Sequence, residues 1–216
     1  MKNFKRNIYR LSSSDCDFTG IAEEIILDPF DYMIVTYQYD NTGSDAGGRD
    51  LDSATTFQNT GTVEDNKFIG CGQPSQYATP TPATLLSNAY LFQGGDDFGN
   101  GQGESIVINF KNLELANISL NNDVRVELYA GWCDAATDRL TNVSAVTYTG
   151  GTLTITPGGN TITSTGTVIN TFSSNAVLVP DASGDGCCGV DPLTAKTHVG
   201  TVSYNLVTKV ASVVFY

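Results

Sequence analysis

Residues 123–132 read DVRVELYAGW, and their alternation decides the fold class. Val124, Val126, Leu128 and Ala130 fall on one face of an extended chain, with Arg125, Glu127 and Tyr129 on the other. A helix would scatter those apolar residues around its axis, so the segment reads as a strand with one face in a core. Residues 32–39 (YMIVTYQY) and 104–110 (ESIVINF) read as clear strands from their β-branched and aromatic residues.

Outward from these, short apolar runs recur between Gly, Asn, Asp and Pro. Residues 66–71, 89–93, 144–149, 152–156, 167–172 and 176–179 each predict a further strand, and 201–206 with 208–216 predict a closing hairpin. The stretch NLELANISLNN (112–122) has room for a helical turn. Only residues 20–27 have a claim to a longer helix, and Ile25, Ile26 and Leu27 suit a strand equally well. Many short strands with little helix predict an all-β chain, a β-sandwich of Greek-key or jelly-roll type. Three segments are expected: an N-terminal arm and docking segment over 1–30, a sandwich core with two acidic loops over 31–140, and a Thr-rich β segment with the closing hairpin over 141–216. The last belongs with the core in one domain.

Composition agrees. The 216 residues are 40% hydrophobic, enough for a core, but only 16% charged, with 22 Gly. Eleven basic against 23 acidic residues give a net charge of -12, which argues against a body that tracks phosphate backbones, so no nucleic-acid partner is expected. Lys2, Lys5, Arg6 and Arg10 crowd into the first ten positions. Such a basic arm either docks on an acidic neighbour, another copy included, or is a solvated, frayed terminus. The five cysteines (16, 71, 133, 187, 188) are unevenly spaced, no apolar leader follows the basic residues, and no run nears the roughly 18 apolar residues of a membrane span. These features suit a reducing cytoplasm, or a particle assembled there, with no membrane partner.

One segment stands apart. Thr141 to Pro180 comprises 40 consecutive residues without Asp, Glu, Lys or Arg, and 11 of positions 141–175 are Thr. Exposed strands usually carry charges that block edge-to-edge pairing, so this stretch is expected to be a subunit interface. A Thr-faced hairpin left wet is the alternative.

The acidic residues hold a second pattern. GGRDLD (47–52) places Asp50 and Asp52 on one face of an extended segment, and GGDDFGNGQGE (94–104) supplies Asp96, Asp97, Asn100 and Glu104 from a glycine-rich loop. Hard cations take six to eight oxygens, so two such loops at one end of a sandwich could hold Ca²⁺; ordinary turn chemistry accounts for the same residues.

Catalysis has little support. His198, in KTHVGTVSY (196–204), is the chain's only histidine, so any Ser-His-Asp or Cys-His site must use it. Cys187 and Cys188 are adjacent, and zinc would need both with Cys71, Cys133 or His198 in a composite site. Carboxylate pairs serve in glycosidases, but one Trp, Trp132, makes no sugar platform. P-loop, dinucleotide and EF-hand spacings do not occur. The chain reads as a non-enzyme.

GGRDLDSATTF, GGDDFGNGQGESIVINFKNLE and DVRVELYAGW together resemble the core of the TerD-type tellurite-resistance and stress-response family. The layout is also similar to virion proteins of tailed bacteriophages, the crAss-like group among them, where DLD is followed by a glycine-flanked strand, here FIGCG (68–72). The likeness spans about residues 30–132. It implies a calcium-binding β-sandwich with Asp50, Asp52, Asp96, Asp97 and Glu104 as the metal ligands. SATTF after the DLD, where stress proteins continue with apolar residues, and the lack of a longer acidic run favour the phage-like branch. The expected function is a structural virion protein, an auxiliary or decoration protein of the head. It would assemble in the host cytoplasm and contact other virion proteins and copies of itself. Alternatives are a cytoplasmic calcium-binding stress protein, a tail or neck component, and a carbohydrate-binding adhesin module.

Overall fold

The computed structural model describes residues 23–26, 29–39, 51–62, 65–66, 68–70, 91–94, 103–116, 119–132, 139–155, 162–173, 177–179 and 196–216. In chain order the first strands are β1 (Glu23–Ile26), β2 (Tyr32–Tyr39), β3 (Leu51–Gln58), β4 (Phe68–Gly70), β5 (Leu91–Gln93) and β6 (Glu104–Asn109). After helix α1 (Phe110–Ala116) come β7 (Asp123–Trp132), β8 (Arg139–Thr149), β9 (Leu153–Ile155) and β10 (Ile162–Ser164). The chain continues through β11 (Thr167–Ser173), β12 (Val177–Val179), β13 (Thr197–Asn205) and β14 (Val210–Phe215).

These strands make the all-β sandwich that the alternation predicts. One sheet, A, runs β1-β14-β13-β7-β3-β4; the other, B, runs β11-β8-β2-β6-β5, with β12 also on β8. Every ladder within the two sheets is antiparallel. Both sheets join strands from the N-terminal and C-terminal portions: β13 lies beside β7 and β8 beside β2. Residues 23–26, within the segment read as the N-terminal arm, form β1 and pair with β14.

The core lies between the sheets. Val124, Val126, Leu128 and Ala130 of β7 are buried there, as their alternation requires, against Met33 and Val35 of β2 and Ile106 and Ile108 of β6. The opposite face of sheet B carries a smaller apolar layer, Tyr32, Ile34, Phe92 and Val107, covered by Leu153 and Ile162 of the β9–β10 hairpin. With both faces buried, β2 and β6 read as nearly unbroken apolar runs. The Tyr32 hydroxyl locks the hairpin down, donating to the Gly150 carbonyl at 2.9 Å and lying 2.5 Å from Ser164 Oγ.

Residues 110–116, whose first two positions the sequence reading left in strand β6 and its junction, are helical instead. Asn109 caps the helix, its side-chain oxygen accepting from the Asn112 amide at 3.0 Å. Phe110 and Leu113, three residues apart on one face, are buried, and Phe110 meets Phe30 edge-on at 5.1 Å and Tyr204 at 4.6 Å. This aromatic cluster plugs one end of the sandwich. Among the described residues, no helix is long and apolar enough to cross a membrane.

Candidate functional site

Two of the five expected metal ligands fall on described residues, and the strands send them to different places. Asp52 is the second residue of β3, and Glu104 is the first residue of β6. Asp50, Asp96 and Asp97 lie outside the described residues, as do the five cysteines and the basic arm. The DLD motif therefore enters a strand, paired with Gly131 of β7 at Asp52, where the sequence reading had placed an acidic loop.

Glu104 points into the sandwich. Gly103 makes this approach possible: its φ is +81°, and a Cβ there would stand 1.9 Å from the Tyr37 carbonyl oxygen. The fully buried Glu104 carboxylate accepts from the Ser53 amide at 2.6 Å, from the Ser53 hydroxyl, and from Gln93 Nε2 at 3.2 Å. Burial pushes the neighbouring Tyr37 phenol well above its ordinary range, reinforced by the charge of Glu104. A polar cross-brace thus ties sheet B to sheet A inside the core.

Asp52 faces the other way. Successive residues of a strand project to opposite sides, and Ser53 points inward to Glu104, so Asp52 projects from the outer face of sheet A. There it pairs with Lys196, Nζ to Oδ2 at 3.9 Å, both side chains almost fully buried. The two carboxylates thus lie on opposite sides of sheet A. Among the described residues, no group of three or more His, Cys, Asp or Glu side chains is placed to hold a metal.

A second polar cluster occupies the same outer face, and sequence reasoning did not foresee it. The β7–β13 register sets Glu127 opposite Thr201 and Tyr129 opposite His198. The buried Glu127 carboxylate takes Arg125 Nη2 at 2.7 Å on one oxygen, and His198 Nε2 at 2.7 Å with the Thr201 hydroxyl on the other. Tyr216 Oη lies 3.0 Å from Thr201 Oγ1. The His198 ring is stacked on Tyr129 at 4.9 Å and tilted against Tyr216 at 4.8 Å. Burial pushes the Glu127 carboxyl upward, but the hydrogen bonds from His198 and Thr201 and the charge of Arg125 outweigh it and hold the group below its ordinary value.

The chemistry of this cluster is that of a clamp. In a hydrolytic triad the acid and the nucleophile use different ring nitrogens of histidine. Here Glu127 and the Thr201 hydroxyl both meet Nε2, and Thr201 donates its proton to the carboxylate, so the arrangement has no relay geometry. The ionised carboxylate requires Nε2–H as donor, which fixes the tautomer. The signal in the sequence was thin: Arg125 and Glu127 share a face, but the histidine comes 71 positions later.

The third feature is an edge. Among the described residues, strand β11 ends sheet B, its residues exposed except for Phe172 and the half-buried Ile169 and Asn170. It lies wholly within the uncharged window, as do β9, β10 and β12.

No family model and no curated protein matches this chain. Among solved structures, the crystal structure of the unknown-function protein SAV2460 is similar at 13% identity, with a TM-score of 0.40, over 87% of this chain and 90% of that one.

Proposed function

We propose that this chain is a non-enzymatic structural subunit of a tailed-bacteriophage particle, an auxiliary or decoration protein of the head, that works by β contacts between subunits. The observation that carries the reading is β11: a seven-residue edge strand without a charged residue, on a chain of net charge -12. Proteins that remain alone blunt their edges with Lys, Pro or inward-pointing charge. This strand has only a bulge at Ile169, between the positions paired with Tyr148 and Thr147 of β8.

The rest of the uncharged window supports the same reading by elimination. The β9–β10 hairpin is spent inside the molecule, covering the outer layer of sheet B. The lack of charge in β11 is not explained by burial of that kind, whereas a neighbouring strand explains it. Docking by strand addition would hold the subunit through backbone hydrogen bonds, with the rigid sandwich transmitting load between neighbours.

Proteomics of gradient-purified particles from the encoding phage tests the proposal. The expected result is recovery of the chain at fixed stoichiometry to the major capsid protein. Its presence only in the soluble lysate, with none in particles, overturns the assignment.

A further inference from the structure

We infer that the partner of β11 is β11 of a second copy, the two strands pairing antiparallel about a twofold axis so that sheet B continues across the dimer. The inference deepens the assembly reading and rests on it.

The edges of the two sheets differ in what they offer. On sheet A, β1 is four residues long and contains Glu23 and Glu24, which would set like charges against each other in a self-pair; β4 has three residues. On sheet B, β5 and β12 have three residues each. Strand β11 has seven, TVINTFS, and no described strand pairs with its outer edge. A ladder of seven residues is of ordinary length for a strand pair, whereas three residues offer little hold.

Charge selects the occupant. A partner rich in Lys and Arg would be drawn to the acidic parts of the surface, not to the longest stretch without acids. Two copies, each of net charge -12, repel one another wherever their acidic surfaces meet. The uncharged window is where they can touch at least electrostatic cost. Antiparallel pairing of identical strands needs no complementary sequence, only the absence of like charge, and a twofold closes the assembly so that it does not grow into a fibre. Val168, 53% exposed at this edge, gains a covered position in the dimer.

The test uses Thr171, exposed on β11 and paired to Val146 of β8 on its inner side. Sedimentation velocity of the full chain should show a dimer. Thr171→Lys and Thr171→Glu should each sediment as monomers with an unchanged far-UV circular dichroism spectrum. Mixing the two variants in equal amounts should restore a dimer, because the pair now carries opposite charges; a variant that merely misfolds cannot be rescued in this way. A monomeric wild type, dimers that persist in both variants, or a mixture that stays monomeric each overturn the inference. A wild-type monomer that still enters particles would sink this dimer alone, whereas absence from particles sinks the assembly reading itself.

Discussion

At the scale of single residues, Glu104 is where burial and charge collide. A carboxylate inside a sandwich survives only if its oxygens are engaged, and Ser53 engages one of them twice. Glu104→Ala should leave the buried Ser53 amide without its acceptor and destabilise the fold by about 2–4 kcal/mol, read from urea denaturation. Glu104→Gln, which keeps an acceptor oxygen, should cost roughly 1–2 kcal/mol. Both losses should be the same with calcium or with a chelator; a calcium-dependent loss would identify Glu104 as a metal ligand. Glu127 gives a pH prediction. Its folded pKa lies below its unfolded value, so its stabilisation is complete above the unfolded carboxyl pKa and is lost as pH falls through the folded one. The stability gap between wild type and Glu127→Gln should therefore be widest near neutrality and shrink below about pH 4. A gap that is constant from pH 7 to pH 3 would contradict the clamp. Of these two carboxylates, Glu104 was legible in the sequence as a residue of interest because a glycine loop delivers it. Its role was not, since a strand seen alone does not reveal that Ser53 lies across the sandwich from it.

Among the elements, legibility followed side-chain contrast. Strand β7 alternates apolar with polar residues, and its bounds were readable to the residue, as were those of β2. Strand β3, LDSATTFQ, was missed because its inward residues include Ser53 and Thr55, and its outward Asp52, Ala54 and Thr56 are equally buried. A strand that buries small polar groups on both faces has no periodic contrast to detect. Strand β10, ITS, was missed because one apolar residue among Thr and Ser makes no run to detect. The β9–β10 hairpin also yields a prediction. Ile162 is buried against sheet B, so Ile162→Ala should cost about 2–4 kcal/mol if the hairpin unfolds together with the sandwich. If the hairpin opens on its own, hydrogen exchange should instead speed up at residues 153–155 and 162–164 while β7 amides stay protected. Wild-type exchange and an unchanged urea midpoint in this variant would show that the layer contributes little.

For the whole molecule, the distribution of charge matters more than its sum. Two acidic bodies that meet at an uncharged edge are opposed by long-range repulsion, which salt screens. Dimerisation should therefore tighten as sodium chloride rises from low to physiological strength, the reverse of an interface built on ion pairs; weakening with salt would point to the basic arm as the contact. The fold class was legible from the sequence because every level of it, composition, alternation and turn chemistry, points the same way. Strand order was not, because pairing is decided by contacts far apart in the chain.

The pairing of Glu23 with Val214 has a consequence in time. On the ribosome β1 is made early, yet the strand that completes its ladder is among the later ones, and β14 must itself be joined to β13 and β7. Sheet A cannot close progressively behind the exit tunnel; β7 and β3 can pair, but their flank waits for β13. Completion of sheet A therefore waits for β13 and β14, and a nascent chain stalled before β13 should lack the flank on which β1 docks.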